Sequence, residues 1–297
     1  MKANRLTRAD VAYQAFIYAA VSALLVTCVF PLVYVLGLSF TGETEWLARG
    51  NSMVIPHHPT FAGYIKVFRQ SRIFGNSLMI SVLRTIVGTA LTMACTMLMG
   101  YIVSRRKMPG SGALMAMVLI TILFGGGLIP TYLVIKDTGL YDTFWAMIIP
   151  GLVDSWGVLV FRQFFLNLPG EVEESAGIDG ISEIGLMMRI VFPMSLPVLA
   201  AMGLFTAVGH WNSWFDAMVY IQNDYLKPLQ LILHDLSVDT NLGVNANSRD
   251  ITDLASRVST RSLRMCVTVI GTVPILCVYP FLQKYFTKGV YVGAVKG

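Results

Sequence analysis

The chain is patterned as long apolar runs broken by short polar ones. No Asp, Glu, Lys or Arg occurs between Asp10 and Glu43, or between residues 108 and 135. The run over 76–103 is broken only by Arg84, and that over 142–165 contains Asp154. Two more occupy 194–221, past Asp216, and 263–284. About 20 apolar residues cross a hydrocarbon core as a helix, and longer runs tilt. The pattern therefore predicts six spanning helices, over 11–38, 76–103, 111–135, 142–165, 194–221 and 263–284. The runs are continuous rather than alternating, which excludes a β-barrel. Pro31, Pro130, Pro150, Pro197, Pro274 and Pro280 lie in or at the ends of the spans. Membrane helices tolerate them where neighbours satisfy the freed carbonyls. The fold class read from this is all-α, a polytopic membrane protein with a single transmembrane domain over 1–297.

Three longer connections remain, 39–75, 166–192 and 222–262. In the first, the spacing of Phe61, Tyr64, Ile65 and Phe68 predicts a short amphipathic helix lying on the interface. The third is polar and Asn-rich and reads as a loop. The second reads as two short helices. Pro169 suits a first helical position, and Glu171, Glu173 and Glu174 complement the positive end of a helix dipole. Asp179-Gly180 signals a turn. Ser182 is a candidate N-cap for a helix with Ile184, Met187, Met188 and Val191 on one oily face, and Pro193 is expected to stop it.

Composition agrees with a membrane protein. Of 297 residues, 55% are apolar and only 13% charged, against about 25% charged in soluble domains. That excludes a disordered chain, a disulfide-rich secreted domain and a typical cytosolic enzyme. The net charge of +5 is spread over the ends of apolar runs, which suits lipid headgroups rather than nucleic acid. Lys2, Arg5 and Arg8, then Arg105, Arg106 and Lys107, then Lys284, Lys288 and Lys296 flank spans on one side. The positive-inside rule puts both termini in the cytoplasm, together with 166–192, and puts 39–75 and 222–262 outside. The amino-terminal apolar run is too long for a signal peptide and reads as a first helix that stays. Cys28, Cys95, Cys266 and Cys277 all sit in apolar runs without a CxxC spacing and read as packing residues. His57-His58 is too little for a metal site.

The segment Glu174-Ser175-Ala176-Gly177-Ile178-Asp179-Gly180, followed by Pro193 and Pro197, resembles the EAA loop of binding-protein-dependent ABC importer permeases. The carbohydrate (maltose-type) branch carries E-A-A-x-I-D-G-A with a downstream L-P-L-x-x-P. Ser175, Ile181 and Phe192 are mild departures from that pattern. Asn76-Ser77, Tyr101 with Arg105, Trp211-Asn212, Tyr279-Pro280-Phe281 with Gln283, and the carboxyl-terminal Lys288-Gly289 and Gly293–Gly297 extend the likeness over nearly the whole chain. The resemblance implies a type I importer permease fold in a bacterial inner membrane. It implies pairing with a second, similar permease subunit, two cytosolic ATPase subunits and an external solute-binding protein. The coupling residues it implies are Glu171, Glu174, Ser175, Ala176, Gly177, Ile178, Asp179, Gly180 and Pro193. Asn241, Asn245, Asn247 and Arg249 would meet the binding protein. No GxxxxGK[ST] occurs in the sequence. The expectation is that this chain is no enzyme and binds no cofactor, ATP and Mg²⁺ being held by the ATPases.

Polar residues inside spans are costly and should face protein or a water-filled path. Arg84, Asp154, Trp156, Trp211, Asn212, Trp214 and Asp216 are the candidate substrate path. A structural ion pair of Arg84 with an aspartate, and tryptophans that merely pack, are the competing readings. His210 reads as a packing residue. The surplus of arginine toward the outside suits carboxylates. An acidic, alginate-like oligosaccharide is the substrate this favours, beside neutral ones. The alternative is a stand-alone ion-coupled transporter using Arg84, Asp154 and Asp216, although inverted repeats are not visible. An intramembrane enzyme would need a motif such as HExxH or GxSxG, and neither occurs. A receptor that moves nothing would need no lever at 171–193.

Overall fold

A computed structural model describes residues 8–42, 45, 49, 54–70, 72–105, 108–171, 176, 178, 180–242 and 262–278. These are helical apart from turns and one isolated antiparallel bridge, Thr41 to Pro59. Contacts divide the chain into two compact units, Met1–Ser71 with Leu236–Thr272 and Arg72–Asp235 with Val273–Gly297.

In the first unit, helix α1 spans Arg8–Ser39 and is apolar all round. Its 32 residues are about 48 Å long at 1.5 Å per residue, enough to cross a bilayer. Helix α2, Ala62–Gln70, is the expected amphipathic helix: Val67 is buried, while Phe61, Ile65 and Phe68 are exposed. It seats against the end of α1. Tyr64 Oη donates to Ser39 Oγ at 2.7 Å, and Cys266 Sγ donates to the Ser39 carbonyl at 3.2 Å. Cys266 is fully buried, as its packing role requires. Beside α2, Glu45 accepts the backbone N–H groups of His57 at 2.7 Å and His58 at 3.2 Å. Those bonds, the one from His57 first, hold its carboxyl below the usual range.

The second unit is built around α3, Arg72–Ser104, four residues longer at its start than the predicted span. The span expected over 111–135 is two helices, α4 (Ser111–Leu123) and α5 (Leu128–Asp137). Gly125, Gly126 and Gly127 separate them, the last at φ +85°. Glycine lowers the cost of such a break, and continuous hydropathy conceals it. The span expected over 142–165 is also broken. Two 3₁₀ turns, Phe144–Met147 and Ile149–Gly151, meet α6 (Ser155–Leu166) at a 47° bend.

Helix α7, Glu183–Met194, meets α8, Leu196–Asn212, at 76°. Ser182 caps α7 as predicted, accepting from the Gly185 N–H at 3.2 Å. Pro193 does not stop it. The turns over Met187–Val191 are π-helical, and the wider spiral carries the chain past the donor that proline lacks. After α8 the chain breaks at Ser213 and resumes as α9, Phe215–Tyr220. The expected loop over 222–262 contains helix α10, Leu229–Leu242. Its start is anchored, since Leu229 and Leu231 are buried and the Leu229 N–H donates to Ser81 Oγ at 2.8 Å. Helix α11 covers Ser262–Val278. Helices α6 and α8 both pack on α3. At Gly100 a Cβ would lie 2.6 Å from the Phe161 Cβ, so only glycine permits that approach of α3 to α6.

Among the described residues two helices, α1 and α3, are long and apolar enough to span alone, and the two bent pairs raise this to four. Helices α4 and α11 are shorter apolar helices. Among the described residues the predicted spans are continuous, bent and broken helices, and a count of six is not reached by length and composition.

Candidate functional site

The first site is the knob between α6 and α8. Ala176 is 3% exposed. It belongs to a core with Met97 and Tyr101 of α3, Phe161 and Phe165 of α6, Leu186 and Val191 of α7, and Met202 of α8. The small residue of the motif is therefore small because it is packed. The turn after it closes with the Ile181 N–H on the Ala176 carbonyl at 3.0 Å. Gly180 stands there at φ +69°, in the left-handed region. A polar tie joins the knob to the end of α3: Arg105 Nη2 donates to Tyr101 Oη at 2.5 Å, and that hydroxyl donates to Glu183 Oε2 at 3.3 Å.

The outer surface of the knob carries apolar side chains beside the exposed Glu183 and Arg189. Ile178 is 88% exposed and Ile184 76%, with Met188 also exposed. The single oily face expected for α7 divides: Leu186 and Val191 point into the core, whereas Ile184 and Met188 point away. Glu171 and Pro193 are exposed. Glu174, Ser175, Gly177 and Asp179 lie outside the described residues.

The second site is a cavity of about 550 Å³ between α3, the 3₁₀ segment, α6, α8 and α9. Arg84 is in its wall, 2% exposed. The aspartate it pairs with is Asp216. One guanidinium nitrogen donates to Asp216 Oδ1 and the Ser213 carbonyl, both at 3.2 Å. The other donates to the Met147 carbonyl at 3.3 Å and to Asp216 Oδ2. Asp216 Oδ1 also accepts from Ser213 Oγ at 2.8 Å.

Asp154 stands at the break in its span, as the N-cap of α6. It accepts the N–H groups of Trp156 at 3.2 Å and Gly157 at 3.0 Å. The tryptophans separate by environment. Trp156 is 62% exposed and lines the cavity. Trp211 is buried. Trp214 stacks on His234 with ring centroids 4.0 Å apart, and Asn212, exposed at the end of α8, is not among the lining residues. The cavity thus brings together Arg84, Asp154, Trp156 and Asp216. It leaves out Trp211, Asn212 and Trp214. His210 packs its ring on Gly88, as expected, but it also lines the cavity. Thr92 of α3 and Thr206 of α8 line it too. Thr92 is buried with its hydroxyl unpartnered. A threonine in an apolar run carries no mark in the sequence that would reveal this. Among the described residues no cluster of three metal-ligating side chains occurs.

Asn245, Asn247 and Arg249 lie outside the described residues, and Asn241 falls in the last turn of α10. Nearer the cavity, Asp142 joins two segments. It stands at φ +57°, and its Oδ1 accepts from the N–H groups of Gln222 and Asn223, each at 2.8 Å. Its own N–H donates to the Tyr220 carbonyl at 2.9 Å. Asp142→Ala is expected to cost about 1–3 kcal/mol, from the loss of two hydrogen bonds to a carboxylate and a left-handed alanine. Asp142→Asn keeps the acceptor and should cost less. Thermal unfolding of the purified protein checks the difference.

No family model matches the chain. Protein LplC of Bacillus subtilis is 41% identical over 269 residues, covering 91% of this chain and 90% of its own. YtcP of Bacillus subtilis, a polygalacturonan/rhamnogalacturonan transport system permease protein, is 36% identical, covering 96% and 98%. AraQ of Halalkalibacterium halodurans, an arabinooligosaccharides transport system permease protein, is 30% identical, covering 91% of each. The fold matches a chain in the crystal structure of a bacterial ABC transporter involved in import of the acidic polysaccharide alginate. That match has a TM-score of 0.86 at 23% identity and covers 96% of this chain and all of the other. On these likenesses, over almost its full length, the chain belongs to the sugar-permease family of ABC transporters.

Proposed function

We propose that the chain is one of two permease subunits of a bacterial inner-membrane importer that takes up oligosaccharides from an external solute-binding protein. Two cytosolic ATPase subunits grip the knob at 166–192, with both termini on the same, cytoplasmic side. They hold ATP and Mg²⁺, and this chain binds no cofactor and performs no hydrolysis. The observation that carries the reading is the physical continuity from knob to cavity. Ala176, Leu186 and Val191 share one core with α3, α6 and α8, and the same three helices line the cavity. A push on Ile178 and Ile184 is therefore delivered to the cavity wall. Closely packed cores shift between discrete arrangements instead of deforming gradually, which suits alternating access.

The substrate is an oligosaccharide, and the likeness to YtcP supports an acidic one. Among the described lining residues Arg84 is the one Lys or Arg, and Asp216 already pairs with it. This wall therefore offers the Trp156 ring face and the half-buried Thr206 and His210 polar groups to the sugar. Cations for carboxylates come from outside it. Asn241, Asn245, Asn247 and Arg249, in the connection read as external, contact the binding protein.

Purifying the tagged chain together with its ATPase and second permease tests the assembly, and recovery of this chain alone refutes it. In the assembled importer, Trp156→Ala is expected to raise the half-saturating oligosaccharide concentration about two- to tenfold, the equivalent of ~0.5–1.5 kcal/mol of ring stacking. Trp156→Phe should stay near the wild type. Uptake kinetics of labelled oligogalacturonides and arabino-oligosaccharides give the measurement.

A further inference from the structure

We propose that Arg84 is a positioning residue, not a sugar ligand: it latches the two broken segments of the cavity wall to α3, and transport depends on that latch. The inference rests on the permease reading above.

Three observations carry it. The first is how the guanidinium is used. Both terminal nitrogens are engaged inside the protein, on Asp216, the Ser213 carbonyl and the Met147 carbonyl. Only 2% of the residue is exposed, so little of it can meet a substrate. The second is where its partners stand. Met147 ends the first 3₁₀ turn before the bent α6. Ser213 and Asp216 flank the break between α8 and α9. These are places where a helix has given up its ladder, leaving carbonyls that need a donor in a membrane. Arg84 supplies donors to both breaks from the continuous helix α3. The third is the preset acceptor. Asp216 Oδ1 is oriented by Ser213 Oγ at 2.8 Å and by the Ala217 N–H at 2.9 Å before Arg84 is counted. An acceptor fixed in this way defines one geometry for the pair.

A buried ion pair contributes little net stability, because desolvation offsets most of the attraction, but it selects a geometry. Here the geometry is that of the wall, and the knob's core reaches the same helices. A wall held in register passes a movement of α8 to the 144–151 and 213–220 segments, whereas an unlatched wall absorbs it.

The test uses the complete importer in proteoliposomes, with its binding protein and internal ATP. Labelled oligogalacturonides and arabino-oligosaccharides are the probes. Arg84→Gln is expected to lower the maximal uptake rate by about fivefold or more, the lower end of ordinary coupling between sites. The half-saturating concentration should stay within about twofold. ATP hydrolysis without binding protein should rise. Arg84→Lys keeps the charge and some donors, and should recover part of the rate. A half-saturating concentration that rises in step with the lost rate would make Arg84 a ligand and overturn the proposal, as would an unchanged rate. If Arg84→Gln does not accumulate in the membrane, Asp216→Asn, which keeps the shape and the contact to Ser213, must show the same split. A wild-type importer that shows no ATP-dependent uptake would count against the permease reading. A working wild type with ligand-like Arg84 variants would remove only the latch.

Discussion

Gly180→Val should lower oligosaccharide uptake about tenfold or more while the protein still inserts and accumulates. Gly180 turns the chain at φ +69° between the buried Ala176 and the capped start of α7. A side chain other than glycine in the left-handed region costs about 1–2 kcal/mol, and about 1.4 kcal/mol is a tenfold loss of the competent turn. Valine is worse placed than most, since its β-branch crowds the backbone there. Among the described residues no atom lies within 4 Å of a Cβ built at Gly180, so the penalty argued here is conformational. Asparagine tolerates the left-handed region, and Gly180→Asn should keep most of the activity. A graded series measured by initial uptake rate, with membrane levels by immunoblot, checks this. Equal rates for glycine, asparagine and valine would mean that the turn is not part of coupling.

The second large effect is expected on the outward face of the knob. Ile178→Asp with Ile184→Asp should abolish recovery of the ATPase with the tagged chain. Burying an isoleucine against a partner stabilises by about 1.5–3 kcal/mol, so two are worth at least ~3 kcal/mol, or roughly a hundredfold in affinity. Both side chains point away from the protein's own core, so their replacement should leave the fold untouched. By contrast, Leu186 and Val191 on the same helix are buried, and changing them would damage the knob itself. Near-normal recovery of the ATPase with the doubly charged variant would place the docking surface elsewhere.

Particular residues show how far the sequence could be read. Ser182, Gly180 and the spacing through Val191 marked a turn and a capped helix, because caps and turns are local and their chemistry is written in adjacent residues. Which of Ile184, Leu186, Met188 and Val191 faces inward was not legible, since that depends on α3 and α6. The glycines at 125–127 stood in plain view, but a continuous apolar run reads as one span until the break is seen. Helix α10, although half of its residues are apolar, was hidden in a connection that is polar and Asn-rich farther on. Its anchoring comes from Ser81, 148 residues away. Arg84 and two aspartates were legible as costly groups that needed partners. The choice of Asp216 over Asp154 came from the folding of α9, which no spacing encodes. Trp214 shows the converse: a tryptophan suited to a sugar by type is occupied by His234.

The central claim is that the chain moves oligosaccharide only as part of an ATP-driven assembly. Uptake of labelled oligogalacturonides and arabino-oligosaccharides into proteoliposomes tests it, with the whole importer in one preparation and this chain alone in the other. Uptake that requires the ATPases, internal ATP and the binding protein, and is absent for the chain alone under any ion gradient, is the predicted result. Uptake by the chain alone, driven by a proton or sodium gradient without ATP, would contradict it.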